Sequence, residues 1–372
     1  MKKIKSRLEE RRKLNALRKL SVRAGLTDFF SNDYLGISRS KDVADKIHQE
    51  YLKQSGNLLG STGSRLLSGH SSYVEGLEIF LAEYFKAPKA LLLNSGYNAN
   101  LSILASVPQK GDTIISDELI HASLKDGARL SFATRFTFRH NDLEDLRNKI
   151  DKATGEVFVV VESVYSMDGD VAPLKELVEL CEEKGAHLIL DEAHSTGLWG
   201  NGAGLAVELG LQDKIFCRVH TFGKGPGVHG SAIVGEAWLI EYLINFARPF
   251  IYTTALPIHA LISIKQSLQY IAQHSELITQ LNEKIKLYKK EISQSGIEVS
   301  KEIDSPGPIQ VICIPGVTEV KAKAEALAAA GFDVRPILSP TVKEGEERLR
   351  ICLHIFNTDD EIQSLVQSIA KN

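Results

Sequence analysis

Three short stretches hold residues whose types and order can do chemistry. In Val219-His220-Thr221-Phe222-Gly223-Lys224-Gly225 a lysine stands between two glycines just after a short apolar run. Glycines let a backbone approach a flat ring, and a lysine in an apolar, cation-rich pocket loses its proton more easily and becomes a nucleophile. In His187-Leu188-Ile189-Leu190-Asp191-Glu192-Ala193-His194 an apolar strand delivers Asp191 and, three residues on, His194. A carboxylate at a buried strand end is costly unless paired. A protonated pyridine nitrogen is a suitable partner, and His194 would reach a neighbouring phenolic oxygen. Third, Leu91–Leu93 runs into Asn94-Ser95-Gly96-Tyr97-Asn98-Ala99-Asn100, a polar turn expected to open a helix. Helix N-terminal amides and the positive dipole end suit a phosphate. Each stretch has an ordinary structural alternative: a surface-loop lysine, an N-capping aspartate beside a core histidine, a turn that binds nothing. Taken together they point to an aromatic cofactor held as a Schiff base on Lys224.

Two other motifs lead nowhere. Asp191-Glu192-Ala193-His194 spells a helicase label, but Gly223-Lys224 is followed by Gly225, and Arg218 stands where a phosphate-cradling loop needs its first glycine. Gly225, Gly227 and Gly230 fit Gly-x-Gly-x-x-Gly but lead into a strand rather than out of one, and Phe250 occupies the acidic position.

The elements that must position these residues alternate between strand and helix. Ala90–Leu93, Thr113–Ser116, Val157–Val161, His187–Leu190 and Ser231–Val234 predict buried strands, and Leu174–Lys184 a helix with Leu174, Leu177, Val178, Leu180 and Cys181 on one side. Such alternation predicts an α/β fold with a mostly parallel central sheet and helices on both faces, and ligands at the strands' carboxyl ends. His259 to about Ser293 reads as one long helix or a pair. Gln310–Ile314, Val320–Ala330 and Leu349–Leu353 then read as strand, helix and strand of a smaller α+β domain. The expected division is an N-terminal helix and arm over residues 1–40 packing on the small domain, a large domain over 41–270 and a small C-terminal domain over 271–372.

Composition narrows the classes. The chain has 372 residues, 43% of them apolar and 24% charged, with a formal net charge of −3. These are values of a soluble globular protein and give no sign of nucleic acid or membrane as the main partner. Ten lysines and arginines crowd the first 23 residues among Ile4, Leu8, Leu14, Leu17 and Leu20, which predicts a solvated amphipathic helix lying on the body rather than a transit peptide, given Glu9 and Glu10. Cys181, Cys217, Cys313 and Cys352 show no paired spacing, so no metal site is expected and a reducing cytoplasm fits.

Ordered motifs over nearly the whole chain resemble those of the fold-type-I pyridoxal-5′-phosphate (PLP) enzymes, and within them the α-oxoamine synthase family. They run from Ser31-Asn32-Asp33-Tyr34-Leu35-Gly36 through Gly60-Ser61-Thr62-Gly63-Ser64-Arg65, Ser95-Gly96-Tyr97, His121-Ala122-Ser123, Ser166-Met167-Asp168-Gly169-Asp170, Asp191 to His194 and Thr221 to Lys224, to Ile251-Tyr252-Thr253-Thr254 and Arg348-Leu349-Arg350. The resemblance implies that Lys224 carries PLP and moves a proton, His121 stacks on the ring, Asp191 pairs with its nitrogen, and His194 and Ser166 bind near the phenolic oxygen. It implies that Ser95, Gly96, Tyr97 and Thr221 hold the cofactor and that Thr254 reaches it from a second subunit, hence a homodimer. Arg350 is implied as the clamp for an amino-acid carboxylate, a bidentate task suited to guanidinium. Asn32, Arg18 and Thr341 are implied as further substrate contacts. The implied reaction joins L-alanine to a pimeloyl thioester, carried by an acyl-carrier protein or coenzyme A, with loss of CO2, in biotin biosynthesis. Siblings of the family that take glycine or serine (2-amino-3-ketobutyrate ligase, serine palmitoyltransferase, 5-aminolevulinate synthase), and aminotransferases or lyases of the same fold, are the alternatives.

Overall fold

Six residues, Val157-Phe158-Val159-Val160-Val161-Glu162, form a strand buried along its whole length, with β-branched side chains covered on both faces. In the computed structural model, which describes residues 2–18, 20, 22–297 and 303–371, this strand lies at the heart of a seven-stranded sheet. The strands are β1 (Lys89–Leu93), β2 (Thr113–Asp117), β3 (Thr134–Phe138), β4 (Val157–Glu162), β5 (His187–Asp191), β6 (Cys217–Thr221) and β7 (Ser231–Gly235), in the spatial order β1-β7-β6-β5-β4-β2-β3. All neighbouring pairs from β3 to β6 are parallel; β7 runs antiparallel between β6 and β1.

The chain divides into two compact units. One comprises Leu35–Tyr165 and Val171–Glu276 and contains the large sheet. Its main core joins sheet residues such as Val159, Val160, Leu190 and Ile233 to helix residues such as Ile103, Leu124 and Leu177, each under 2% exposed. The helix Leu174–Lys184 forms as read; its apolar side is buried, and Gly185 at φ +65° ends it in the left-handed conformation that glycine adopts without penalty. The predicted helical stretch after His259 is two helices, Ile258–Gln273 and Glu276–Gln294, the first of them ending at His274. The other unit comprises Met1–Tyr34, Ser166–Asp170 and Leu277–Asn372. It holds the antiparallel sheet of β8 (Ile309–Cys313), β9 (Arg335–Ile337) and β10 (Arg348–Cys352), with β10 central. The five-residue segment 166–170 is fastened here by ion pairing of Arg348 with Asp168.

The N-terminal helix Lys2–Lys13 is present, but its expected apolar stripe is not covered: Ile4 is 64% and Leu8 44% exposed. The helix is so rich in charge that two isolated apolar side chains give it too little surface to bury. None of the four cysteines is in a disulfide, and all four are buried. No helix among the described residues is long and apolar enough to cross a membrane.

Candidate active site

In the sheet-bearing unit, the carboxyl ends of β2, β4 and β5 each terminate in a buried acid, Asp117, Glu162 and Asp191. Asp191 is held through both of its oxygens. Its Oδ1 accepts the backbone N–H of Ala193 at 2.9 Å, and its Oδ2 accepts Nδ2 of Asn100 at 2.7 Å. The carboxylate is therefore fixed in orientation before any ligand arrives, although it is only 5% exposed.

Asn100 and His121 reach this acid through helix packing. Asn100 lies in the helix Gly96–Leu104, and His121 caps the helix Ala122–Leu130. The two helices approach closely at Gly127, where a β-carbon would lie 3.0 Å from the carbonyl oxygen of Asn100 and 3.0 Å from Cβ of Leu104. That approach brings Asn100 Nδ2 to 2.9 Å from Ser123 Oγ, which lies 2.7 Å from His121 Nδ1. The backbone N–H of Ser123 also donates to His121 Nδ1, at 3.2 Å. With Nδ1 an acceptor, the neutral ring carries its proton on Nε2. Burial lowers the pKa of His121, and the nearby charge of Lys224 adds to this against the pull of Asp191, so a neutral ring is favoured. A chain of hydrogen bonds thus runs from His121 through Ser123 and Asn100 to Asp191.

Lys224 stands in the loop after β6, half-buried, and its charge is felt by both His121 and Glu162. The loop is closed by Gly227 N–H donating to the carbonyl of Lys224 at 2.7 Å. Gly225 is required by close packing: a β-carbon there would meet the carbonyl oxygen of Thr196 at 2.6 Å. His194 is buried, 3% exposed, in the turn after β5.

The turn after β1 forms the expected helix start. Ser95 Oγ caps the helix by accepting the N–H of Asn98 at 3.3 Å, with Gly96 and Tyr97 opening the first turn. Gly96 sits against Thr221, where a β-carbon would come within 3.3 Å of the threonine Cβ. Tyr97 turns outward, and its hydroxyl donates to Asp126 at 2.7 Å. Thr254 is exposed, and its carbonyl accepts Asn94 Nδ2 at 2.8 Å, so it borders the same turn within this chain.

The remaining predicted residues lie in the other unit. Arg350, 4% exposed, donates from Nε to the carbonyl of Ser166 at 2.7 Å and from Nη2 to Oδ1 of Asn32 at 3.0 Å, and its Nη1 lies 3.0 Å from Sγ of Cys352. Arg18 Nη2 lies 3.5 Å from Thr341 Oγ1, which brings together two residues 323 positions apart.

The sheet-unit residues fit PLP in kind. They supply a fixed acid for a protonated nitrogen, a neutral imidazole for a ring face, a loop lysine for a Schiff base, and a capped helix start beside a threonine for a phosphate. Asn100, Ser123 and Glu162 were not singled out from the sequence. Asn100 and Ser123 stand inside motifs quoted for other members, and Glu162 reads as the polar end of an apolar strand.

Comparison with known proteins agrees. The model of the class I and II aminotransferase family matches residues 24–369. The 8-amino-7-oxononanoate synthase of Emericella nidulans is 40% identical, covering 97% of this chain and 91% of its own. That of Chromohalobacter salexigens is 37% identical, covering 94% and 90%. Among solved structures, serine palmitoyltransferase from S. paucimobilis with a bound PLP–myriocin aldimine superposes with a TM-score of 0.91 at 27% identity, covering 100% of this chain and 97% of that one. The 8-amino-7-oxononanoate synthase of Francisella tularensis gives 0.80 at 28%, covering 93% and 97%. Backbone likeness is thus higher to one activity and sequence likeness to another. The sequence carries more weight for the chemistry, because one scaffold serves several reactions.

Proposed function

Because this chain belongs to the class I and II aminotransferase family of PLP enzymes, with 8-amino-7-oxononanoate synthases as relatives at 35–40% identity, we propose that it condenses L-alanine with a pimeloyl thioester to give 8-amino-7-oxononanoate, CO2 and a free thiol in biotin biosynthesis. The observation that carries the reading is Asp191, a buried acid with both oxygens fixed, among His121 and Lys224 in a chain with such relatives.

When bound, PLP withdraws electrons from the amino acid's α-carbon, which allows loss of a proton or of CO2 there and attack on a thioester. Lys224 would hold the cofactor covalently and, once released by the amino acid, would move the α-proton through Nζ. Asp191, kept in place by Asn100 and Ala193, would keep the ring nitrogen protonated. His121, neutral, would lie on the ring face without adding charge. Gly96, Tyr97, Ser95 and Thr221 would hold the phosphate side, and His194 and Ser166 the phenolic oxygen. Thr254 would act toward the site of a second subunit in a homodimer. Arg350 and Asn32 would take the amino-acid carboxylate, and Arg18 with Thr341 the distal polar end of the acyl chain. Either coenzyme A or an acyl-carrier protein would present the thioester, and four cysteines outside any disulfide go with a cytoplasmic location.

The higher backbone likeness to serine palmitoyltransferase favours a second reading, serine with a long acyl chain. A panel of acetyl-, succinyl-, pimeloyl- and palmitoyl-thioesters against alanine, glycine and serine, scored by thiol release, separates the two. Pimeloyl with L-alanine should give the highest kcat/KM; palmitoyl with serine winning would replace the first reading by the second. Borohydride reduction of the holoenzyme followed by peptide mapping should place the cofactor on Lys224, and finding it on another lysine would remove that residue's role.

A further inference from the structure

Glu162 ends β4 as the register partner of Asp191 across the parallel pair β4–β5, and it is 2% exposed. Its Oε1 accepts the backbone N–H of His121 at 2.5 Å. That N–H belongs to the residue that caps the helix Ala122–Leu130, so the contact fixes where the helix begins and where the imidazole leaves the backbone. Nothing in the proposed chemistry uses this carboxyl group.

Its surroundings set its charge. Burial is the largest influence and disfavours the anion; Asp191 beside it and Asp117 at the end of β2 act the same way. Lys224 and the N–H of His121 act in the opposite sense. Burial and the neighbouring acids win, and the carboxyl pKa is pushed up to about 8. Asp117 differs: it accepts the N–H groups of Leu119 and Asn141 at 2.8 and 2.9 Å and pairs with His140 Nδ1 at 3.1 Å. Asp191 has its own two donors. Two adjacent anions on buried strand ends would repel, and Glu162 is the one with the fewest donors to hold a charge.

We propose that Glu162 is a positioning residue: its carboxyl group clamps the backbone amide of His121 and stands as a neutral neighbour to Asp191. This rests on the reading of His121 and Asp191 as cofactor contacts. Glutamine matches the neutral carboxyl in size and keeps an acceptor for the amide, whereas alanine removes both.

Two measurements test it. The first is the dissociation constant of PLP from wild type, Glu162→Gln and Glu162→Ala, read from fluorescence on titration. Glu162→Gln should stay within about threefold of wild type and Glu162→Ala should weaken binding about tenfold, the loss of one hydrogen bond that places a contact residue. The second is the His121 amide resonance of histidine-¹⁵N-labelled holoenzyme between pH 6 and 9.5. It should move with a midpoint near 8 in wild type and stay flat in Glu162→Gln. Wild-type affinity in Glu162→Ala overturns the positioning role. Equal losses in glutamine and alanine variants, or an amide signal in wild type that does not titrate in this range, overturn the neutral neighbour. If Glu162→Ala does not fold, the glutamine variant and the titration decide. Failure of the wild-type protein to bind PLP would instead sink the cofactor reading, and the amide titration, run then on the cofactor-free protein, would still report on the contact.

Discussion

Asn100 Nδ2 lies 2.7 Å from Asp191 Oδ2, a hydrogen bond between residues 91 positions apart that links the helix after β1 to the end of β5. The same amide group lies 2.9 Å from Ser123 Oγ, so one side chain serves both the acid and the histidine. Asparagine does this with two N–H donors on one nitrogen, which aspartate and leucine of similar shape lack.

Replacing Asn100 by alanine should therefore disturb both partners. Losing a hydrogen bond to a buried charged group costs about 1.5–3 kcal/mol. We expect PLP to bind about tenfold or more weakly in Asn100→Ala, measured by equilibrium dialysis. Asn100→Asp should be worse, because it sets a second carboxylate against Asp191. Unchanged affinity in both variants would show that Asp191 is held well enough by Ala193.

Asp191→Asn tests the acid itself. The amide has nearly the same shape but no charge to offset a protonated ring nitrogen. PLP should still bind, while kcat with alanine and the thioester falls at least about a hundredfold, the range for loss of one positioned electrostatic group. Turnover near wild type would make Asp191 a structural residue.

The position of Thr254 gives a test of shared sites. Lys224→Ala and Thr254→Ala chains, each impaired alone, should regain up to about a quarter of wild-type activity when mixed and refolded together, by the statistics of a two-chain assembly with one intact site. No recovery, or a fully active monomer in the ultracentrifuge, would confine Thr254 to its own chain, where it already meets Asn94.

Arg18 and Thr341 should act on the acyl donor alone. At 3.5 Å their contact is too long to bind strongly, so each is available to a third group. Arg18→Ala should lower the preference for pimeloyl over palmitoyl thioester about tenfold in kcat/KM, as for loss of one charge-assisted hydrogen bond, and leave the KM for alanine within about twofold. An unchanged donor preference would make Arg18 one more solvated charge.

Much of this architecture was legible in the residue order, for a physical reason in each case. The run from Val157 carries enough β-branched surface to announce a buried strand, and Gly185 marks the end of the helix before β5. The edge strand β3 was missed because Thr134, Arg135 and Thr137 face solvent and leave no apolar pattern. The break between the two helices after Ile258 carries neither proline nor glycine, so a single long helix read equally well. In the site, single-residue signals such as Asp191 after three apolar residues or Lys224 between glycines survive in sequence. The relay through Asn100 and Ser123 does not, because it exists only where two helices pack against Gly127. Glu162 looked like a strand's polar end because its partner, the N–H of His121, is a backbone group that any residue at that position would supply.

The burial of the cysteines has a practical consequence. A thiol must ionise and reach its reagent to react. Burial pushes Cys181 up to about 12 and raises Cys217 and Cys352 as well, and Cys313 is only 5% exposed. The folded protein should therefore be silent toward disulfide reagents, and colour in a thiol-release assay should come from turnover. The same silence makes those four sulfurs reporters of opening: the rate at which they become titratable under denaturant measures how often Cys181 and Cys217 in the sheet-bearing unit, or Cys313 and Cys352 in the other, are laid bare.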